Sequence, residues 1–190
     1  MLLIREYVPG FINRVLLSKS GIWFPGLGLV LPRRQNVLAV LGTPAGNILI
    51  PASNIVGNAG DVYYAQLGAA EATTETFNRM VMCTAGTPGK AANRSSFTEI
   101  AASIKALDGG FPKTNDGDAD NTGAGIDITT WLTSWTKGDF TDGAISHGMI
   151  VGSSPVSNDP ILTGYAFAST FPKTSDDTLK VFVNHQFDGQ

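Results

Sequence analysis

Between Phe111 and Trp135 the chain sets Asp116, Asp118 and Asp120 at alternate positions, with Asp127 closing the same window. Hard cations need several carboxylate and carbonyl oxygens on one short segment, and a calcium loop spaces its acidic ligands at positions one, three, five and twelve. These four aspartates match that spacing, so calcium is the one cofactor the residues suggest. Three departures weigh against it. Asn121 stands where glycine normally makes the sharp turn, Asp127 is shorter than the usual bidentate glutamate, and no helical pattern flanks the loop. The competing reading, which the departures favour, is a solvated acidic turn held by Asx hydrogen bonds and needing no cofactor.

Nucleophilic chemistry has few candidates: Ser146 beside His147, His185, and the single Cys83. There is no G-x-S-x-G elbow, and neighbouring side chains on a strand point to opposite faces. Cys83, inside FNRMVMC, reads as a small core hydrophobe. His185 sits on an alternating strand and reads as core or interface. Paired carboxylates for glycoside hydrolysis would be placed by the fold, and nothing in the sequence singles them out. GLGL and GAG do not match dinucleotide or P-loop spacing. Trp131 and Trp135 share a strand face; exposed, they would stack on sugars, and buried, they would be core. The residues predict no catalytic site and no enzyme.

The elements that must carry these residues are β-rich. Charged residues make up 15% of the chain, and 22 Gly and 10 Pro supply turns rather than helices, which favours an all-β sandwich or barrel. One cysteine allows no disulfide within the chain, and a core of this size needs none. Ile126, Ile128, Thr130 and Leu132 alternate with Thr129, Trp131, Thr133 and Trp135 along one strand. Ile161, Thr163, Tyr165, Phe167, Ser169 and Phe171 share a face of another, and Leu179, Val181, Val183, His185 and Phe187 a face of the last. NIVGNAGDVYYAQL reads as a turn feeding a strand. Ser96-Phe97-Thr98-Glu99 resembles a capping box and predicts a short helix over 97–107.

Residues 1–50 read as an extended arm and 51–190 as the body. The arm is apolar but broken by Pro9, Pro25 and Pro32, and it is basic: residues 1–60 carry five Lys/Arg against one Glu (5 − 1 = +4), and the remainder eight against fifteen (8 − 15 = −7). Five scattered cations are no phosphate-binding stripe, which argues against direct nucleic-acid binding and for contact with the acidic body of a neighbour. Trp23, Phe24, Leu27, Leu29, Arg33 and Arg34 are the candidate interface residues. The longest uncharged run, Gln35 to Gly60, contains prolines, glycines and asparagines that would leave its backbone unsatisfied in lipid, so no membrane span is expected.

NIVGNAGDVYYAQLGAAEA, FPKTNDGDADNTGAGIDITTWLTSWTKGDF and FASTFPKTSDDTLKVFVNHQFDG together resemble small virion structural proteins of tailed bacteriophages. The resemblance covers about residues 54–190. It implies an antiparallel β-sandwich subunit, jelly-roll or Ig-like with one short helix, located in the virion as a capsid, head–tail junction or tail component. Its partners would be copies of itself and other virion proteins, and no active-site residues carry over. The rival reading is a sugar- or receptor-binding β-sandwich module of a phage tail. A third, weaker one is a hydrolase with unrecognised carboxylates.

Overall fold

The computed structural model describes residues 21–24, 29–32, 37–115, 128–152 and 159–186. The chain is all-β and antiparallel, as its turn spacing predicts. Two short strands, β1 (Gly21–Phe24) and β2 (Leu29–Pro32), pair only with each other among the described residues. The rest is one sheet built from β3 (Val37–Thr43), β4 (Gly46–Val56), β5 (Arg79–Gly86), β6 (Phe97–Glu99), β7 (Lys105–Ala106), β8 (Lys113–Asn115), β9 (Ile128–Trp135), β10 (Asp142–Val151), β11 (Ile161–Lys173) and β12 (Thr178–Gln186). Their order is β6-β5-β10-β11-β4-β3-β12-β9-β8, with β7 also on β5. Where two facing sheets were expected, the strands hydrogen-bond into one continuous sheet that buries its inner face by curling.

Val37, Ala39 and Leu41 of β3 join Met80, Met82, Trp131, Leu162 and Val181 in the inner cluster. Residues 37–50 are therefore sheet, and the body begins no later than Val37 rather than at residue 51. The alternation of β9 and β12 holds: Trp131, Thr133 and Trp135, and Leu179, Val181, Val183 and His185, are all buried. On β11 it fails at Ser169, which is exposed where the register with β10 shifts, and again at Ile161. Val151 pairs with Ile161 but Ile150 with Thr163, and this bulge sends Ile161 to the cluster on the opposite face, with Val81, Cys83 and Met149.

Helix and strand exchange places relative to two expectations. The helix, α1 (Asn58–Gly68), forms where a strand was expected. Asp61 lies in its first turn, where a carboxylate complements the helix dipole, and Ala59, Tyr63 and Tyr64 pack on the inner cluster. That burial outweighs the β preference of Val62-Tyr63-Tyr64. Gly60 makes the close approach possible, since any Cβ there would collide with the Leu162 carbonyl of β11 and with Val56.

Conversely, 97–107 is no helix but β6, a single 3-10 turn (Ala101–Ser103) and β7. Glu99 does not reach back to cap a helix, because the buried Arg94 holds it: Nε donates to Oε1 at 2.6 Å and Nη2 to Oε2 at 2.7 Å. The capping motif closes instead around the 3-10 turn Arg94–Ser96, between Asn93 and Ser96. Phe97 then lies over Gly164 of β11.

Replacing Gly60 by Ala tests the helix seat. Because the obstacle is backbone rather than a flexible side chain, G60A is expected to cost about 1–3 kcal/mol in a urea melt followed by tryptophan fluorescence. An unchanged midpoint would mean that α1 does not rest on β11 as described.

Candidate functional site

Among the described residues able to do chemistry, the fold brings Ser146 and His147 together. The sequence placed them on opposite faces. The β10–β11 register shifts between Ile145 and His147, where a step of two residues on β10 meets a step of five on β11, and Ser146 Oγ lies 2.7 Å from His147 Nδ1. Cys83 is the cross-strand partner of His147, and Phe97 meets the imidazole edge-on.

The polarity of this pair runs against nucleophilic catalysis. The Ser146 hydroxyl donates to the Thr84 carbonyl at 2.6 Å, and a carbonyl can only accept. Ser146 has one proton, so the hydrogen between it and His147 comes from Nδ1. A general base would need a lone pair there. Burial lowers the His147 pKa, which keeps the ring neutral. The Cys83 thiol is pushed up by burial first and by Glu99 second, against the opposing effect of Arg94, so it stays protonated and unreactive at neutral pH.

A second cluster joins the helix to the far side of the sheet. Tyr64 of α1 places its hydroxyl 2.5 Å from His185 Nδ1 on β12, and Trp131 Nε1 of β9 donates to the same oxygen at 3.0 Å. Tyr63 packs edge-on against Phe77. His185 Nε2 is buried without a hydrogen-bond partner. A neutral imidazole tolerates this; an imidazolium, with two donors to satisfy, does not. Burial accordingly pushes the His185 pKa down to about 3. The sequence marked His185 as core or interface, but the tyrosine that meets it lies on the helix read as strand.

Trp131 and Trp135 are 0% and 1% exposed. Trp135 Nε1 donates to the Ser103 carbonyl at 2.8 Å, so both indoles are committed to the interior and neither offers a face to a sugar. An open, shallow cleft of about 310 Å³ lies between Phe77, Arg79, Asp108 and Phe111. The Asp108 carboxylate there already accepts from Ser134 N and Ser134 Oγ, at 3.0 and 2.6 Å. Asp116, Asp118, Asp120 and Asp127 lie outside the described residues, as do Leu27, Arg33 and Arg34. Among the described residues no three His, Cys, Asp or Glu come together as a metal site, and no helix is long and apolar enough to cross a membrane. Trp23, Phe24 and Leu29 fall on β1 and β2.

What remains is surface. Ile48 and Leu49 of β4 are 51% and 46% exposed, and Ile55 of the same strand is also exposed. β11 pairs with β4 only from Ala52 to Val56. From Gly46 to Pro51, β4 has β3 on one side and no strand on the other among the described residues. A bare edge beside exposed aliphatic side chains is a template for another strand.

Comparisons with protein-family models, with curated proteins and with solved structures give no match to this chain.

The His185 cluster predicts acid sensitivity. With the folded pKa far below the unfolded value near 6.5, the unfolded chain gains a proton that the folded chain refuses. Stability is therefore full above about pH 6.5 and falls toward pH 3, by up to about 1.4 kcal/mol per pH unit. His147 acts in the same direction. Thermal melts of wild type and His185→Phe between pH 7 and pH 4.5 should show a shallower fall in the variant. Parallel pH profiles would remove His185 as the source.

Proposed function

We propose that this protein is a non-enzymatic structural subunit that works by self-assembly, as a capsid, head–tail junction or tail component of a tailed-phage virion. The observation that carries the self-assembly reading is the half-bare β4 edge with Ile48 and Leu49 exposed beside it. Large aliphatic side chains next to unpaired backbone favour burial against another chain, at roughly 1.5–3 kcal/mol for each side chain fully covered. The chemistry of the described residues supports the non-enzymatic part. Ser146 and His147 are protonated the wrong way round for attack, and Cys83 is buried as the thiol. The virion assignment rests on the resemblance over residues 54–190. Its partners are further copies of the chain and neighbouring virion proteins.

The rival reading, a sugar- or receptor-binding tail module, depended on exposed tryptophans beside the acidic loop. Trp131 and Trp135 are buried, which withdraws that support.

Sedimentation velocity of the purified chain across a hundredfold range of concentration, with negative-stain microscopy of the same samples, tests the proposal. Discrete oligomers, rings or tubes are expected. A monomer throughout would overturn it.

A further inference from the structure

The bare half of β4 is specific about what it can receive. β3 and β4 are joined by the two-residue turn Pro44-Ala45, with Thr43 opposite Gly46. Backbone groups alternate sides along an antiparallel strand. With Thr43 and Gly46 as the hydrogen-bonded pair that closes such a turn, Gly46, Ile48 and Ile50 bond to β3, while Asn47, Leu49 and Pro51 face the open side. Pro51 has no N–H, so the ladder to β11 ends at Ala52, opposite Phe167. Ala168, Ser169 and Thr170 of β11 are then exposed. The free edge is a short one: N–H groups at Asn47 and Leu49, and carbonyls at Asn47, Leu49 and Pro51. An incoming strand of about four residues would fill it.

The chain itself contains strands of that length. β1 and β2 are four residues each, GIWF and LVLP, and among the described residues they pair only with each other, which leaves each one edge without a described partner. Only residues 33–36 separate β2 from β3. A tether that short gives the hairpin a very high effective concentration near its own sheet, yet β1 and β2 do not pair with β4 of their own chain.

Charge favours the same encounter between copies. Lys19, Arg33 and Arg34 flank the hairpin in sequence. Asp142 and Asp176 lie toward the end of the sheet that carries the Thr43–Gly46 turn, since Thr178 is opposite Gly42 and Asp142 opposite Lys173. Neither aspartate has an ion-pair partner among the described residues.

We propose that the free edge of β4, from Gly46 to Pro51, receives one strand of the β1–β2 hairpin from a second copy of this chain. This rests on the self-assembly reading and supplies its connector. The added strand bonds to Asn47 and Leu49, and its apolar side chains cover Ile48 and Leu49. Each copy gives a hairpin and offers an edge, so the contact either closes reciprocally between two copies or runs head-to-tail into rings or filaments.

The test uses the full-length chain with one cysteine added at a time, Leu49→Cys mixed in turn with Trp23→Cys of β1 and Val30→Cys of β2 under mild oxidation. Cys83 is buried and does not compete. In one of the two mixtures, disulfide-linked heterodimers are expected to exceed either homodimer severalfold. Leu49→Pro removes one outward N–H without touching the bonds to β3. It should move the assembly midpoint to roughly tenfold higher concentration while leaving the melting temperature of the dilute chain unchanged.

If the chain assembles but the heterodimer exceeds the homodimers in neither mixture, the proposal is overturned whatever Leu49→Pro does, and self-assembly through another surface stands. If one chain carrying both cysteines of either mixture closes its disulfide internally at high dilution, the hairpin serves its own sheet, which also overturns it. A chain monomeric at every concentration removes this proposal and the self-assembly reading together.

Discussion

A single antiparallel sheet can bury one face against itself only if its curl is held, and here the holding is done across the opening between β5 and β9. Ser103 is the hinge of that closure. Its hydroxyl accepts from Met82 N at 2.8 Å and donates to the Ile100 carbonyl at 2.7 Å, while its own carbonyl receives Trp135 Nε1. Residues 107 and 108 continue the bridge, with Leu107 N donating to the Asn78 carbonyl and Asp108 N to the Leu132 carbonyl. None of this is a strand ladder, so the sheet remains open in topology while its core is closed in space. The inner cluster, from Val37 to Val183, depends on that seam. So does α1, which packs Ala59, Tyr63 and Tyr64 on that cluster, with the Tyr64 hydroxyl meeting His185 of β12 and Trp131 of β9.

The interior is correspondingly rich in polar atoms. Tyr165 Oη, Thr133 Oγ1 and His185 Nε2 are buried without hydrogen-bond partners. Lys173, almost wholly buried, donates to the Phe140 carbonyl at 3.0 Å and lies over the Phe140 ring. Each unsatisfied group costs about 1–3 kcal/mol relative to a paired one. A core that carries several of them relies on apolar burial elsewhere, and β3, β5 and β12 supply it as nearly continuous buried runs.

Legibility followed the period of the side chains. β9 and β12 could be read as strands because the residues that share a face in the sequence, Trp131, Thr133 and Trp135, and Leu179, Val181, Val183 and His185, share burial in the fold, while which face turns inward was not legible. α1 could not, since Val62-Tyr63-Tyr64 is β-prone in isolation and becomes helical only because Tyr63 and Tyr64 find the inner cluster. The 97–107 segment departs from its spacing for the opposite reason. Its spacing is helical, but Glu99 is bound by Arg94 and Phe97 by the bare backbone of Gly164, partners far away in sequence or invisible to periodicity. The meeting of Ser146 with His147 falls where the β10–β11 register shifts, and the extra residues that β11 carries there leave no mark in composition. The paired tryptophans were legible as a face but not as buried or exposed.

Pro51 ties the fold to the proposed function. Sheets protect their edges by making them short, charged or proline-bearing. The two outer strands, β6 and β8, are three residues each. β4 is eleven residues long, sits in the middle of the order, and is bare along half its length because Pro51 halts the ladder to β11. A proline that served only to discourage pairing would be expected beside polar or charged residues. This one stands next to Ile48, Leu49 and Ile50, with no charge from Gln35 to Gly60. The combination limits the edge without repelling a strand: a long partner cannot zip along it past Pro51, and a short apolar one can. Discrimination by length is what a subunit needs if it must accept one segment of its own kind and refuse indiscriminate sheet growth.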